Sequence, residues 1–225
     1  MNQIVALVPI KANSERVKGK NFRPLAGKPL YRWIVDTLLS VPAIDQVVIN
    51  TDAKERFSET GLTESKRLLL RQRRPEICGD FVSMNRVLED DIENVSSQYY
   101  LMTHATNPHL SAEVISKGID LFLSNLKSGK CDSLFSVNKF QGRFYRGDGS
   151  AINHDPKNLI RTQDLEPWYL ENSCLYLFTR ESFMTTQARI GKKPFLYEIP
   201  LVDSVDIDDQ ETWNLAESLA YAKKG

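Results

Sequence analysis

The sequence predicts an α/β fold built on a mostly parallel sheet, and two observations predict it. Short apolar runs of strand length recur along the chain, and between them lie segments whose apolar residues fall at helical spacing. The runs are largely continuous rather than alternating, the mark of strands covered on both faces. In such sheets ligands sit beyond the carboxyl ends of the strands, so the chemistry is expected in the segments that follow each run.

The first run is Ile4-Val5-Ala6-Leu7-Val8, ending at Pro9. After a polar stretch to Lys28, Leu30, Trp33, Ile34 and Leu38 recur at helical spacing, with Pro29 suited to a first helical turn. A second strand, Gln46 to Asn50, ends at Thr51-Asp52, and a shorter third is expected over Lys66 to Arg71. Met84, Val87, Leu88, Ile92 and Val95 outline an amphipathic helix, followed by a strand over Tyr99 to Thr103. Ser111 is a good N-cap for the next helix, which carries Val114, Ile115, Ile119 and Phe122 toward a core and stops at Gly129. Strands are expected at Ser133 to Val137, Cys174 to Phe178, Phe195 to Ile199 and Ser204 to Ile207. The final helix begins near Asp208 or Asp209 and buries Trp213, Ala216, Leu219 and Ala220. Residues 139–172 break the pattern: they are polar and aromatic, hold Gly142, Gly147, Gly149 and Pro156, and are too long for an ordinary loop. That stretch reads as an arm or a subunit contact.

The chain has 225 residues, with 29 Lys+Arg against 29 Asp+Glu and 41% apolar residues. This suits one domain over residues 1–225 and excludes collagen-like, wholly disordered and membrane-spanning classes. Zero net charge argues against nucleic acid as the main partner, because phosphate neutralisation normally needs a basic surplus. Cys78, Cys131 and Cys174 are too few and too separated for a disulfide framework or a zinc site. The apolar start reaches Lys11 with no basic region before it, and no run is long enough to span a bilayer. The expectation is a cytoplasmic protein with no membrane partner.

Two segments carry chemistry. The run Lys11 to Asn21, immediately after the first strand, is rich in donors, with Asn13, Ser14 and the cations Lys11, Arg16, Lys18 and Lys20. It is not a phosphate-binding loop of the G-x-x-x-x-G-K-[ST] kind, since Ser14 and Asn21 stand at key positions, and no G-x-G-x-x-G occurs. What remains is a loop placed where a polyphosphate would bind. Near the other end, Asp206 and Asp208 are two apart, so on extended chain they share a face and offer hard oxygen ligands to Mg²⁺. Phosphate and water complete such a sphere, and Asp209 is left to cap the helix.

At this point the residues resemble a family. The first strand through Lys20-Asn21-Phe22-Arg23-Pro24-Leu25-Ala26-Gly27-Lys28-Pro29-Leu30 is similar to the opening of the acylneuraminate cytidylyltransferases, or CMP-sialic acid synthetases, which are related to CMP-Kdo synthetases. Arg74-Pro75-Glu76 with Gly79-Asp80, Ala105-Thr106-Asn107-Pro108, Arg161 with Asp164 to Pro167 ahead of Asn172-Ser173-Cys174, and Ser204 to Asp208 follow in the family's order. The resemblance implies a three-layer, Rossmann-like nucleotidyltransferase fold with a dimerisation insertion at 139–172, a homodimer, and Mg²⁺ at Asp206 and Asp208. It implies transfer of CMP from CTP to the anomeric hydroxyl of an acidic 2-keto sugar, with pyrophosphate released.

By the same resemblance Lys20, Asp206 and Asp208 are the catalytic residues. Lys11, Asn13, Ser14, Lys20, Asn21 and Arg74 form the nucleotide site, and Ser83, in the loop leading into a helix, adds donors to phosphate. Lys11 departs from the family's usual Arg and loses its bidentate fork. Sugar contacts fall on His104, where sialic acid enzymes typically carry Gln, and on Thr106 and Arg161, while the aperiodic insertion itself offers Arg143 and Arg146 for an acidic sugar's carboxylate. Trp168 and Tyr169 stand where relatives often have a further basic residue, so a carboxylate clamp cannot be copied across. Two other enzyme readings stay open: a CMP-Kdo synthetase, and a glycosyltransferase using Asp206-Ile207-Asp208 as an Asp-x-Asp motif, the latter disfavoured by the motif's late position. A non-catalytic nucleotide-binding protein is the third.

Overall fold

The computed structural model describes residues 4–14 and 17–223. Nine strands and six α-helices occur among them, in chain order: β1 (Ile4–Ile10), β2 (Pro24–Leu25), β3 (Lys28–Pro29), α1 (Leu30–Ser40), β4 (Gln46–Thr51), α2 (Glu55–Glu59) and β5 (Leu68–Gln72). There follow α3 (Met84–Asn94), β6 (Tyr99–Met102), α4 (Ala112–Lys127), β7 (Ser133–Phe140), β8 (Trp168–Thr179), α5 (Arg180–Thr186), β9 (Pro194–Glu198) and α6 (Gln210–Ala222). Seven strands form one sheet in the order β5-β4-β1-β6-β8-β7-β9, and β2 with β3 makes a separate hairpin. Every pairing in the large sheet is parallel except those of β8 with β6 and β7. This is the mostly parallel sheet that the sequence predicts.

Strict alternation sends side chains of one strand to opposite faces, and β1 shows it. Ile4, Ala6, Val8 and Ile10 pack with Tyr31, Ile34 and Leu38 of α1 and Ile115, Ile119 and Phe122 of α4. Val5 and Leu7 face the other side, against Leu88 and Ile92 of α3 and Phe183 of α5. Helices on both faces make three layers and explain why the strands read as unbroken apolar runs. A third small cluster joins Val17, Leu25, Leu30 and Ile207 to Trp213 and Ala216 of α6, locking the last helix onto the hairpin. In that hairpin Ala26 and Gly27 both take positive φ, 47° and 85°, as a two-residue turn between antiparallel strands requires.

Helix ends follow the expected signals. Ser111 caps α4 by accepting from the Val114 amide at 3.3 Å. Beyond its C-terminus Gly129, at φ 68°, donates to Leu126 O while Lys130 donates to Asn125 O, the paired bonds of a Schellman stop. Asp209 caps α6 in a reciprocal box with Thr212. Pro29 sits one place earlier than expected, at the N-cap of α1 rather than in its first turn.

Three expectations need correcting. Residues 204–207 form no strand; they run irregularly into α6, tied to the sheet by the Ile207 amide donating to Thr106 O at 3.0 Å. β8 starts at Trp168 rather than Cys174, because β7 and β8 continue past the core as a two-stranded ribbon whose pairs run to Phe140 and Trp168. Both faces of that extension are partly exposed, so it carries no burial pattern to read. The short helices α2 and α5 are additional, being too brief for periodicity to show.

Candidate active site

At β1 the chain order reverses: β4 lies on one side and β6 on the other. The crevice beyond the carboxyl ends of these strands is the place where such sheets bind ligands, and a cleft of about 370 Å³ opens there. It is lined by Pro9 near the end of β1, by Lys11 just after it, and by His104, Ala105 and Thr106 after β6. Lys20, Asn21, Asp206 and Asp208 also line it.

The segment after β1 is held in place rather than loose. Asn21, buried, donates its Nδ2 to Lys11 O at 2.8 Å. The Ala12 amide donates to Asp52 Oδ1 at 2.7 Å, and Arg56 Nη1 to Ala12 O at 3.3 Å. Lys11 Nζ spans to Asp80 Oδ1 at 2.7 Å, an exposed pair that adds little stability. Lys20 reaches across 187 positions of sequence to donate its Nζ to Ile207 O at 2.6 Å, which ties the cationic loop to the carboxylate segment. A cation and two carboxylates thus meet at one wall.

Arg73 is the cleft residue that sequence reasoning passed over in favour of Arg74. Burial leaves it 4% exposed, with Nε donating to Asn50 Oδ1 and Nη2 to Asn50 O, both at 2.8 Å. Asn50 in turn donates its Nδ2 to Asp91 Oδ1 at 2.8 Å, and Asp91 pairs with Arg71. Desolvation pushes the Asp91 carboxyl up to about 6, against the opposing pull of Asn50 and Arg71. This buried chain fixes the Asn50 amide orientation and so the direction of the Arg73 guanidinium. The signal was available: a second arginine stands one position nearer the end of β5.

On the opposite wall the register of β8 jumps, since Phe135 pairs with Tyr176 while Val137 pairs with Glu171. The extra residues form a bulge pinned by Ser136, whose Oγ donates to Asn172 Oδ1 at 2.5 Å and accepts from the Leu175 amide at 2.9 Å. The bulge holds Ser173 at φ 58° and presents it to the cleft. No sequence rule pointed to Ser173, because its exposure depends on the register shift.

Eight of the residues singled out from sequence line this cleft: Lys11, Ser14, Lys20, Asn21, His104, Thr106, Asp206 and Asp208. Asn13 lies in an adjoining hollow with Lys11, Ser14 and Asp80. Ser83 lines a side hollow that shares Met84 with the cleft. Arg74 is not among the residues lining the cleft; it is 59% exposed and paired through Nε to Asp90 Oδ1 at 2.8 Å. Arg143 and Arg161 sit on the 139–172 arm, the first donating to Ile160 O at 2.6 Å and the second gripping Asp164 at 2.7 and 2.9 Å. Arg16 lies outside the described residues.

Charge in the cleft is arranged by wall. Burial lowers the His104 pKa to about 3, reinforced by the cations Arg189 and Lys20, so its imidazole is neutral near pH 7. The linkage sign follows: the unfolded chain takes up a proton at His104 near 6.5 and the folded one does not, so stability is full above that pH and falls as pH drops toward 3. His104→Gln removes this term. Its denaturation midpoint, compared with wild type by urea titration at pH 7 and pH 5, is expected to gain on wild type at the lower pH; an equal gap at both would disprove the neutral histidine.

The carboxylates fit a divalent cation. Among the described residues no group of three or more His, Cys, Asp or Glu forms a self-sufficient metal cluster. Two carboxylates beside Lys20 in an open cleft suit Mg²⁺, which keeps waters and shares phosphate oxygens, better than an all-protein cage. No helix among the described residues is long and apolar enough to cross a membrane.

Known proteins place this architecture. A CMP:2-keto-3-deoxy-manno-octonic acid synthetase solved with CTP superposes with a TM-score of 0.68 at 12% identity, covering 99% of this chain and 100% of that one. A 4-diphosphocytidyl-2C-methyl-D-erythritol synthase from Anaerococcus prevotii gives 0.68 at 12%, covering 98% and 96%. At such identities the likeness is one of fold. In sequence the chain is 23% identical to a pseudaminic acid cytidylyltransferase of Campylobacter jejuni over 96% of this chain and 95% of that protein. It is 25% identical to a CMP-N,N'-diacetyllegionaminic acid synthase of Legionella pneumophila over 96% of each. Against an N-acylneuraminate cytidylyltransferase of Oncorhynchus mykiss the identity is 28% over 95% of this chain, which spans 49% of that longer protein. The family model described as cytidylyltransferase matches residues 5–219, and the chain belongs to the cytidylyltransferase family.

Proposed function

We propose that this cytidylyltransferase transfers CMP from CTP to the anomeric hydroxyl of an acidic 2-keto sugar of the nonulosonate class. The observation that carries the reading is the meeting of Lys20 with Asp206 and Asp208 at the switch point of the sheet, in a member of the cytidylyltransferase family whose full-length relatives include nonulosonate enzymes by name. The sugar hydroxyl gives up its proton to solvent as its oxygen forms a bond to the α-phosphorus of CTP, the bond from that phosphorus to the bridging oxygen breaks, and pyrophosphate leaves with the electron pair of the broken bond. Such a displacement needs alignment and charge neutralisation more than covalent catalysis.

The chain's own groups divide the work. Lys11, Lys20 and Arg73 offer cationic donors to the triphosphate, while Asn21 holds the loop that carries the first two. Asn13, Ser14 and Ser83 flank the same space and Arg74 stands behind it. Asp206 and Asp208 would hold Mg²⁺, which when bound neutralises triphosphate charge. Neutral His104 and Thr106 face the acceptor side and supply hydrogen bonds without adding charge.

Residues 139–172 are proposed as the arm of a homodimer. The ribbon and its tip expose Phe140, Tyr145, Ile160, Trp168, Tyr169 and Leu170, an apolar surface of the kind that pairing covers. In that arrangement Arg143 and Arg161, remote from their own cleft, would serve the partner's.

Pyrophosphate release from CTP and Mg²⁺ is expected with at least one of N-acetylneuraminic, legionaminic, pseudaminic and deaminated neuraminic acids, in a preparation sedimenting as a dimer. Turnover of Kdo alone would move the assignment to the eight-carbon class, and turnover of none would remove it.

A further inference from the structure

We propose that Arg189 is the residue that receives the carboxylate of the sugar acid, an inference that rests on the sugar-acid reading above. The cations that line the cleft, Lys11, Lys20 and Arg73, are those assigned above to the triphosphate, and Asp206 and Asp208 repel an approaching anion. His104 is neutral. Beside the arginines that a partner's arm would bring, the acceptor's carboxylate therefore calls for a further cation of this chain bordering the cleft.

Arg189 is that cation. It lines a hollow of about 250 Å³ that adjoins the cleft through Met84, which borders both. The guanidinium lies over the Tyr176 ring, 3.9 Å from its centroid, and the Tyr176 hydroxyl oxygen lies 3.3 Å from Ser173 Oγ, a cleft residue whose hydroxyl can donate to it. Tyr176 also donates to Glu171, whose Oε1 accepts from Arg189 Nη2 at 3.4 Å. A third contact runs from Nη1 to Met102 Sδ at 3.7 Å, two residues before His104. Stacking and two long contacts, one of them to a weak sulfur acceptor, orient the planar fork while leaving donors for a ligand. The side chain is 19% exposed, so an ion pair formed there is less screened than a surface one.

The β8 bulge explains why the site forms where it does. It turns Ser173 into the cleft while Tyr176 stays on the strand opposite Met102, so the ring becomes a platform for a guanidinium arriving from the segment after α5.

The test uses whichever sugar acid of the panel the wild type turns over, with Mg²⁺ and saturating CTP. Arg189→Gln is expected to raise the KM for the sugar acid about 10- to 100-fold, the range for a lost charge-assisted hydrogen bond, with the KM for CTP within about twofold. Arg189→Lys keeps charge without the fork and recovers part of the loss; it also serves if the glutamine variant fails to fold. The C1 carboxamide of the same sugar, as a competitive inhibitor, should bind wild type about tenfold or more weaker than the acid, and the two should bind Arg189→Gln alike. An unchanged sugar KM in a folded variant, or an acid-to-amide ratio that survives the substitution, overturns the assignment alone. If the wild type turns over no sugar acid and none shifts its melting midpoint with CTP present, the functional reading falls and Arg189's role falls with it.

Discussion

Asp206→Asn and Asp208→Asn are each expected to lower CTP-dependent pyrophosphate release about 10³-fold, because several kcal/mol of charge stabilisation at the triphosphate depends on those carboxylates. Each substitution keeps shape and removes one negative charge. The fold should survive it: α6 is capped by Asp209, whose Oδ1 accepts from the Thr212 amide at 2.8 Å, and the Ile207 amide bond to Thr106 O is backbone. Melting midpoints close to wild type with activity lost, and a Mg²⁺ titration that no longer saturates in the millimolar range, would separate a metal site from a structural turn. Turnover within tenfold of wild type at both positions would remove the metal role.

Lys20→Met is the second large effect, about 10²- to 10³-fold in kcat, the cost of deleting one preorganised charge donor at a reacting phosphate. Its geometry makes the loss twofold in kind. The ammonium contributes positive charge to the cleft, and its bond to Ile207 O at 2.6 Å holds the backbone between the two aspartates. Lys20→Arg is expected to recover little, since a planar fork cannot occupy the place of a compact point charge packed against a carbonyl. Steady-state rates at saturating CTP and sugar acid check this, and a kcat within fivefold of wild type in Lys20→Met would show that the lysine only braces the turn.

Most of the sheet was legible because its strands are buried on both faces. Ile4 to Val8 and Gln46 to Asn50 form strands as read, each lengthened by one or two residues where backbone pairing outlasts apolar content. The misreadings have one cause: burial is what a hydrophobic pattern records. Ser204 to Ile207 looked like a strand because Val205 and Ile207 are apolar, yet Ile207 is buried against Trp213 and Val17 in a corner rather than in the sheet. The β7–β8 ribbon beyond the core was invisible for the converse reason, since Trp168, Tyr169 and Leu170 pair as a strand while remaining exposed.

The candidate site divides along the same line. Residues placed directly after a strand, such as Lys11 and His104, were found because position along the chain is position in the cleft for a parallel sheet. The Asp206 and Asp208 pair was singled out from a two-residue spacing expected on extended chain; the segment is irregular instead, and both carboxylates nevertheless line the cleft. Arg74 was chosen over Arg73 because a motif says which segment matters and not which of two neighbours turns inward. The Asn50 and Asp91 chain, 23 and 18 positions from Arg73, makes that choice.

By itself, then, the sequence determined the class of fold and pointed to the segments after the strands, which follow from local periodicity, while the expectation that a cationic loop and a carboxylate pair share one cleft drew on spacing and on the resemblance together. Tertiary structure decided what depends on distant groups meeting: Lys20 bound to Ile207 across 187 positions, Arg73 aimed by a buried network, Ser173 exposed by a bulge, and Arg189 stacked on Tyr176. The physical reason is that hydrogen bonds and ion pairs take their direction from partners, and in a sheet threaded out of chain order those partners are not neighbours in sequence.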